Sequence, residues 1–203
     1  MKNILKGTLC LTILSSTLMS GFSYAEDFSY NYLEAAAIQS KVDKLDDEEL
    51  SGGSIQGSFE LSDNAYLKVL YAETDDDINL SGEKLSIDSK TYYLGIGLHG
   101  ELNQSSDWYA ELAAEKLKGQ FVNGMDDFDD AIYSYSATLG LRKKLLEDAE
   151  LEASLKHLYN QNGSEFSARF SAYYDVIDEL AIGVHYEIGT EFDTVAASLR
   201  YSF

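Results

Sequence analysis

Residues 193–203 read Asp193-Thr194-Val195-Ala196-Ala197-Ser198-Leu199-Arg200-Tyr201-Ser202-Phe203. Apolar side chains occupy every second position from Val195 to Phe203, and the positions between them are mostly polar. A period of two is typical of a β-strand, because successive side chains point to opposite faces. The stretch therefore predicts a strand with one apolar face, and that face ends in two aromatic rings.

The same alternation recurs in ten segments of the chain, and the connections between the segments differ regularly in length. Those before the third, fifth, seventh and ninth segments are short. Three of the others are long and rich in acid, namely Lys41–Leu50, Asp75–Ser86 and Gly119–Asp130. Transmembrane β-barrels have short turns at one end and longer loops at the other. We predict a ten-stranded antiparallel up-and-down transmembrane β-barrel, with an eight-stranded barrel as the alternative.

The aromatic residues on the apolar faces fall into two bands. One band lies near the ends that carry the short turns, and the other lies near the opposite ends. The first comprises Trp108, Tyr201 and Phe203, and the second comprises Tyr71, Tyr92, Tyr133, Tyr135, Tyr159 and Tyr186. Aromatic girdles at both interfaces are expected of a membrane barrel. A secreted β-sandwich would share the alternation but would not explain the bands.

The first 25 residues have the features of a secretory signal peptide. A basic start with Lys2 and Lys6 precedes an apolar run from Leu9 to Met19, and Ser23-Tyr24-Ala25 forms a small-x-small cleavage site. The run is too short for a membrane-spanning helix, which needs about 20 apolar residues. We predict that residues 1–25 are cleaved and that residues 26–203 form the barrel.

Residues 26–203 are strongly acidic and lack cysteine. They keep 13 of the 15 Lys and Arg residues and all 35 Asp and Glu residues of the chain. Such an excess of acid argues against nucleic acid as a partner, because phosphates would be repelled. Cys10, the one cysteine, lies within the predicted signal peptide, so the barrel has no disulfide framework.

The faces assigned to the lumen carry charges of both signs. A narrow barrel holds little water, so such groups must pair or hydrogen-bond with one another. We predict a lumen network of Glu60, Lys68, Glu101, Glu111, Glu115, Arg142, Glu150, Glu152, Lys156, Arg169, His185, Glu187 and Arg200. The sequence does not decide which side chains of the first strand face the lumen, since Tyr30-Tyr32-Glu34-Ala36 and Leu33-Ala35-Ala37 both suit either face.

Two groups of residues raise the question of a metal or catalytic site. The acidic stretches supply oxygen ligands of the kind that calcium prefers, without the twelve-residue EF-hand spacing. The weak divalent-cation candidates are Asp75, Asp76, Asp77, Asp126, Asp127, Asp129 and Asp130. His185 near surface aspartates outlines an omptin-like protease, but the short connection between the last two strands argues against one. The chain has no Gly-x-Ser-x-Gly elbow and no phosphate loop, and we expect neither an enzyme nor a cofactor.

The stretch Phe28-Ser29-Tyr30-Asn31-Tyr32-Leu33-Glu34 resembles the start of a family of small outer-membrane barrels of Gram-negative bacteria, which includes quorum-signal-related members. The resemblance continues through Gly57–Leu61, Tyr92–Gly100 and the closing strand. In such barrels the closing strand ends in Phe with Tyr two residues before it. The resemblance implies an outer-membrane location. The asymmetry between short turns and long connections then predicts periplasmic termini and acidic stretches on the cell surface. The resemblance also implies that the barrel assembly machinery recognises Tyr201 and Phe203.

Three functions follow as hypotheses. The first is a structural or surface-interaction role, in which acidic loops meet cations, a cationic surface partner or lipopolysaccharide. The second is a small cation-preferring pore, and the third is an omptin-like protease. The sequence leaves open the ligand, the conductance of the lumen and the oligomeric state.

Overall fold

The computed structural model describes the backbone of residues 28–42, 49–80, 83–123, 126–190 and 192–203 and, within these ranges, the side chains outside 42, 76–87 and 120–130. The predicted signal peptide, including Cys10, lies outside the described residues. Within them there is no α-helix that is long and apolar enough to cross a membrane.

Ten antiparallel strands form one closed barrel, in which each strand pairs with its neighbours in sequence and the first pairs with the last. Their bounds are β1 Tyr32–Val42, β2 Glu49–Ser62, β3 Ala65–Leu80, β4 Glu83–Asn103, β5 Ser106–Asn123, β6 Asp126–Leu146, β7 Ala149–Asn160, β8 Gly163–Ile177, β9 Leu180–Ile188 and β10 Phe192–Ser202. Closure leaves no open edge along the wall, which is the condition for a sheet in hydrocarbon. The ten-stranded prediction is confirmed.

The barrel has two different ends. At the turn end, four tight turns centred on residues 63–64, 104–105, 147–148 and 178–179 join the strands, and both described termini lie there. At the loop end lie the five other connections. The turn between β7 and β8 is tight as well, because Gly163 follows Asn162 with φ at 148°, a conformation that favours glycine. Asn162-Gly163 is a strong hairpin signal in the sequence, and the hairpin forms there, with Asn160 opposite Gly163.

The strand phases agree with the alternation of the sequence. In β9, Ile182 and Val184 are 49% and 59% exposed, whereas His185 is 4% exposed. Large apolar side chains thus cover the outer face of the barrel, which suits contact with lipid rather than with water. In β1 the open phase is settled, because Tyr32 and Glu34 are buried inside and Leu33 faces out.

Four strands extend beyond the predicted bounds. Pairing of β3 with β4 continues to Leu80 and Glu83, and pairing of β5 with β6 continues to Asn123 and Asp126. The expected loops 75–86 and 119–130 are therefore largely strand. Their acid content suggested loops, but ladder hydrogen bonds join backbone groups whatever the side chains. The wall of β3–β6 consequently stands taller than the rest of the barrel.

Candidate functional site: the packed lumen

The segment before β1 lies inside the turn end of the barrel, against interior side chains. Phe28 and Tyr30 are 8% and 3% exposed. The Tyr30 ring stacks on His99 at a centroid distance of 3.8 Å and lies 5.0 Å from the ring of Tyr66. Burial raises the pKa of the Tyr30 hydroxyl above its ordinary value, and the positive charge of nearby Arg142 offsets only part of this rise. We call residues 28–31 the stopper.

Arg142 on β6 holds the stopper in place. Its guanidinium lies 4.9 Å from the Phe28 ring centroid and 4.8 Å from that of Tyr30. Its Nη1 donates a hydrogen bond of 3.0 Å to the backbone carbonyl of Ser29. Nε and Nη2 donate to the two carboxylate oxygens of Glu150 on β7. One side chain therefore uses both its charge and its planar face, which lysine could not do.

A second cluster spans the junction between the first and last strands. The Arg200 Nε donates to Glu34 Oε2 at 2.8 Å, and its guanidinium lies 3.7 Å from the Tyr173 ring centroid. The Tyr173 hydroxyl also contacts both Glu34 and Arg200. Arg200 Nη1 lies 4.0 Å from Glu150, so this cluster continues into the pair at Arg142. Charge thus alternates across the whole width of the lumen.

A third cluster fills the side formed by β3, β4 and β5. Lys68 Nζ lies 3.7 Å from Glu111 Oε2, and Glu111 is 4% exposed. The hydroxyls of Tyr66 and Tyr93 both donate hydrogen bonds to Glu111. A buried carboxylate needs such partners, because an unpaired one is costly in a dry interior. Next to this cluster, Tyr109 donates a 2.6 Å hydrogen bond to Glu152.

Nearer the loop end the packing of charges is looser. Lys156 Nζ lies 2.7 Å from Glu115 Oε1, which also accepts a hydrogen bond of 2.5 Å from Ser136. Glu187 accepts a hydrogen bond from Ser167. Arg169 is opposite Glu187 in the β8–β9 register, but its buried Nε has no hydrogen-bond partner among the described residues.

Aromatic rings occupy the space left above inward-facing glycines. A Cβ atom on Gly140 would lie 2.2 Å from Cζ of Tyr109, and one on Gly97 would lie 2.2 Å from Cζ of Tyr66. Each glycine therefore makes room for a tyrosine whose hydroxyl reaches an interior carboxylate.

Of the predicted lumen network, eleven residues lie on the inside and two do not join it. Glu60 is exposed at the turn end, where it hydrogen-bonds to Asn31, and Glu101 is exposed as well. Both residues are at inward-facing positions of their strands, but they lie close to the strand ends, where the side chains are exposed. Sequence reasoning missed Glu34, because the phase of β1 was open. It also missed the interior tyrosines, since a tyrosine suits either face of a strand.

The histidines do not form a catalytic set. His185 lies between Ser171 and Ser198, at 3.0 Å from Nδ1 and 2.8 Å from Nε2, and it is 4% exposed. His99 stacks on the stopper. His157 stacks on Phe166 on the outer face, at a centroid distance of 4.3 Å.

The acidic candidates for divalent cations belong to strands rather than loops. Asp75–Asp77 lie in β3 and the aspartates of 126–130 lie in β6. Asp75 faces Asp88 across the β3–β4 ladder, and the side chains of the others are outside the described residues. No group of three or more metal-binding side chains occurs among the described residues.

Comparison with known proteins places the fold. No protein-family model matches the chain, and no curated protein matches it. The translocator domain of the autotransporter NalP from Neisseria meningitidis is similar, with 8% identity over 98% of this chain and 95% of that one, at a TM-score of 0.52. The NanC porin has 8% identity over 84% and 100% of the two chains, at a TM-score of 0.51.

The N-terminal β-barrel domain of Pseudomonas aeruginosa OprF is also similar, with 15% identity over 86% of this chain and 100% of that one, at a TM-score of 0.47. At these identities the likeness concerns the fold. The resemblance to small outer-membrane barrels is thus confirmed at that level, and the chain has the fold of the bacterial outer-membrane β-barrels.

Proposed function

We propose that the protein is an integral outer-membrane barrel with a plugged, non-conducting lumen, which anchors an acidic surface structure outside the cell. The observation that carries the proposal is the continuous interior network from Arg142 through Glu150 and Arg200 to Glu34, closed at the turn end by the stopper. Such a network is a costly way to build a channel, because each charge must leave water. It is an effective way to fill a barrel with fixed, paired groups.

The balance of interior charge supports a plug rather than a cation pore. The inward acids include Glu34, Asp107, Glu111, Glu115, Glu150, Glu152, Asp175 and Glu187, and the inward bases include Lys68, Arg142, Lys144, Lys156, Arg169 and Arg200. The excess of acid among these inward residues is far smaller than that of the whole chain, whose net charge is −20. Most of the surplus acid therefore lies outside the lumen, and only a small excess remains inside it to favour cations.

Planar-bilayer recording tests this directly. The purified barrel, refolded and inserted into a planar bilayer, is expected to show no steady conductance in potassium chloride. A steady cation-selective current in the unmodified protein would overturn the plug in favour of the pore.

The environment of His185 argues against the protease. Both its ring nitrogens are within hydrogen-bond distance of serine hydroxyls, and its Nε2 also lies 3.4 Å from Glu34. A general base must reach a substrate, and this imidazole is enclosed. Incubation of the refolded barrel with a peptide library is expected to give no cleavage. Cleavage that disappears in His185→Ala would contradict this reading.

The proposed topology puts the turn end in the periplasm and the loop end outside. It rests on the usual asymmetry of such barrels, and recognition of Tyr201 and Phe203 by the assembly machinery belongs to the same proposal. Protease added to intact cells is expected to cut only at the loop end, at the connections between β1 and β2, β3 and β4, or β5 and β6. Cleavage at Asn103–Ser106 in intact cells would show the opposite orientation.

The surface role concerns the acids of the loop end. Divalent cations, a cationic partner or lipopolysaccharide bridged through cations are the partners that this charge suits. Calcium titration of the refolded barrel is expected to show weak binding that is lost when Asp126, Asp127, Asp129 and Asp130 are replaced by Asn. Equal binding by the variant would remove these residues from the proposal.

A further inference from the structure

Three lysines are gathered on one patch of the outer face, although the chain is acidic overall. Lys90 on β4 is directly opposite Lys118 on β5, and Lys116 is the next residue of β5 on the same face. Like charges directly opposite each other destabilise a sheet. The arrangement therefore calls for a compensating negative charge, either from the protein or from a ligand.

Among the described side chains, carboxylates pair with only one of the three lysines. Lys90 Nζ lies 3.2 Å from both Glu73 and Asp88. Among the described carboxylates, none forms an ion pair with Lys116 or Lys118. Lys116 instead lies with its Nζ 5.1 Å from the ring centroid of Tyr133. Within the described part of the chain, these two ammonium groups thus have no carboxylate partner, and a partner from outside can supply one.

The position of the patch indicates which partner. In the β3–β6 registers, one row across the wall contains Tyr71, Tyr92, Lys116 and Tyr133, and the next row toward the loop end contains Glu73, Lys90, Lys118 and Ala131. The first row belongs to the loop-end aromatic band, which sits at the headgroup level of a membrane. The two unpaired lysines consequently face lipid headgroups rather than hydrocarbon or bulk water.

We propose that Lys116 and Lys118, with Tyr133 beside them, bind a phosphate group of a phosphorylated lipid in the outer leaflet. The ammonium groups neutralise the phosphate, and the tyrosine ring packs against the upper part of the lipid. This site would hold lipid on the tall side of the barrel, directly and without a bridging cation. The proposal rests on the proposed membrane location, with the loop end outside.

Native mass spectrometry of the refolded, detergent-solubilised barrel tests the site. Bisphosphorylated lipid A is titrated against the wild type and Lys116→Gln/Lys118→Gln, with dephosphorylated lipid A as the second ligand. A basic residue near a membrane surface contributes about fivefold to the affinity for anionic lipid. The double variant is therefore expected to bind the phosphorylated lipid about 25-fold more weakly, and the dephosphorylated lipid unchanged.

Lys143→Gln is the matched control, because Lys143 also faces outward but lies near the turn end. It is expected to bind like the wild type. Equal affinity of wild type and double variant, or no preference of the wild type for the phosphorylated lipid, would overturn the site. Displacement of the lipid by an equal concentration of inorganic phosphate would assign the site to free phosphate instead. None of these readouts depends on orientation in cells, which the protease experiment tests separately.

Discussion

Arg142 and Glu150 form a bidentate ion pair inside the barrel, with Nε 2.7 Å from Oε1 and Nη2 3.0 Å from Oε2. Removal of one partner of a buried pair costs about 3–5 kcal/mol when the other is left unpaired, and less where a second charge stays near, as Arg200 does at 4.0 Å from Glu150. We expect Arg142→Ala to lower the urea midpoint of the refolded barrel accordingly. Arg169→Ala is the control and should cost clearly less, because Arg169 forms no ion pair with a described carboxylate.

The same pair allows a second comparison. Arg142→Met combined with Glu150→Leu removes both charges and keeps most of the volume, and such replacements are often neutral or stabilising. The double variant is expected to be more stable than Arg142→Ala alone. If it is equally unstable, the contacts of Arg142 with the stopper dominate, rather than the unpaired carboxylate.

Removal of the stopper should open the turn end. Phe28→Ala with Tyr30→Ala deletes two buried rings, which costs roughly 3 kcal/mol or more in a packed interior. We expect both a lower unfolding midpoint and current in a planar bilayer. Tyr201→Ala, which removes an outward ring, should leave the bilayer silent. A silent stopper variant would mean that the network alone closes the lumen.

The outward phase of β6 can be checked at Leu139, which is 61% exposed. An arginine at the midplane of such a barrel costs about 2–4 kcal/mol. Leu139→Arg should therefore lower the free energy of unfolding in lipid by that amount. Its inward neighbour offers the control, since Thr138→Ser should be nearly silent. Equal tolerance at the two positions would contradict the phase.

Gly140 tests the packing of rings in the lumen. A Cβ there collides with Tyr109, and overpacking typically costs about 1–3 kcal/mol. Gly140→Ala should thus lower the urea midpoint. Gly119→Ala is the matched control, because a Cβ at Gly119 would meet no atom within 4 Å and should leave the midpoint unchanged or higher. Equal effects at both glycines would speak against a filled lumen.

Period-two alternation predicted the strand number, the order and nearly every phase, because an outer face in lipid and a narrow lumen impose opposite demands on neighbouring positions. The alternation did not decide which face of β1 points into the lumen, since Glu34 is the one charged residue in a run of alanines and tyrosines. Strand ends were misplaced where acids such as Asp75 and Asp126 continue a ladder. The partners inside could not be predicted, because pairs such as Lys68 with Glu111 join strands that are not neighbours in the sheet and depend on the curvature of the closed barrel.

The junction of β1 with β10 has a kinetic consequence. Glu34 and Arg200 are 166 residues apart in the chain, and contacts of such high sequence separation slow folding and form late. Interactions that form after the transition state act mainly on the rate of unfolding. Weakening this pair, for example by Arg200→Lys, should therefore accelerate unfolding in stopped-flow measurements while the folding rate stays nearly constant. The contact between the first and last strands, which forms last during folding, would then determine how slowly the folded barrel unfolds.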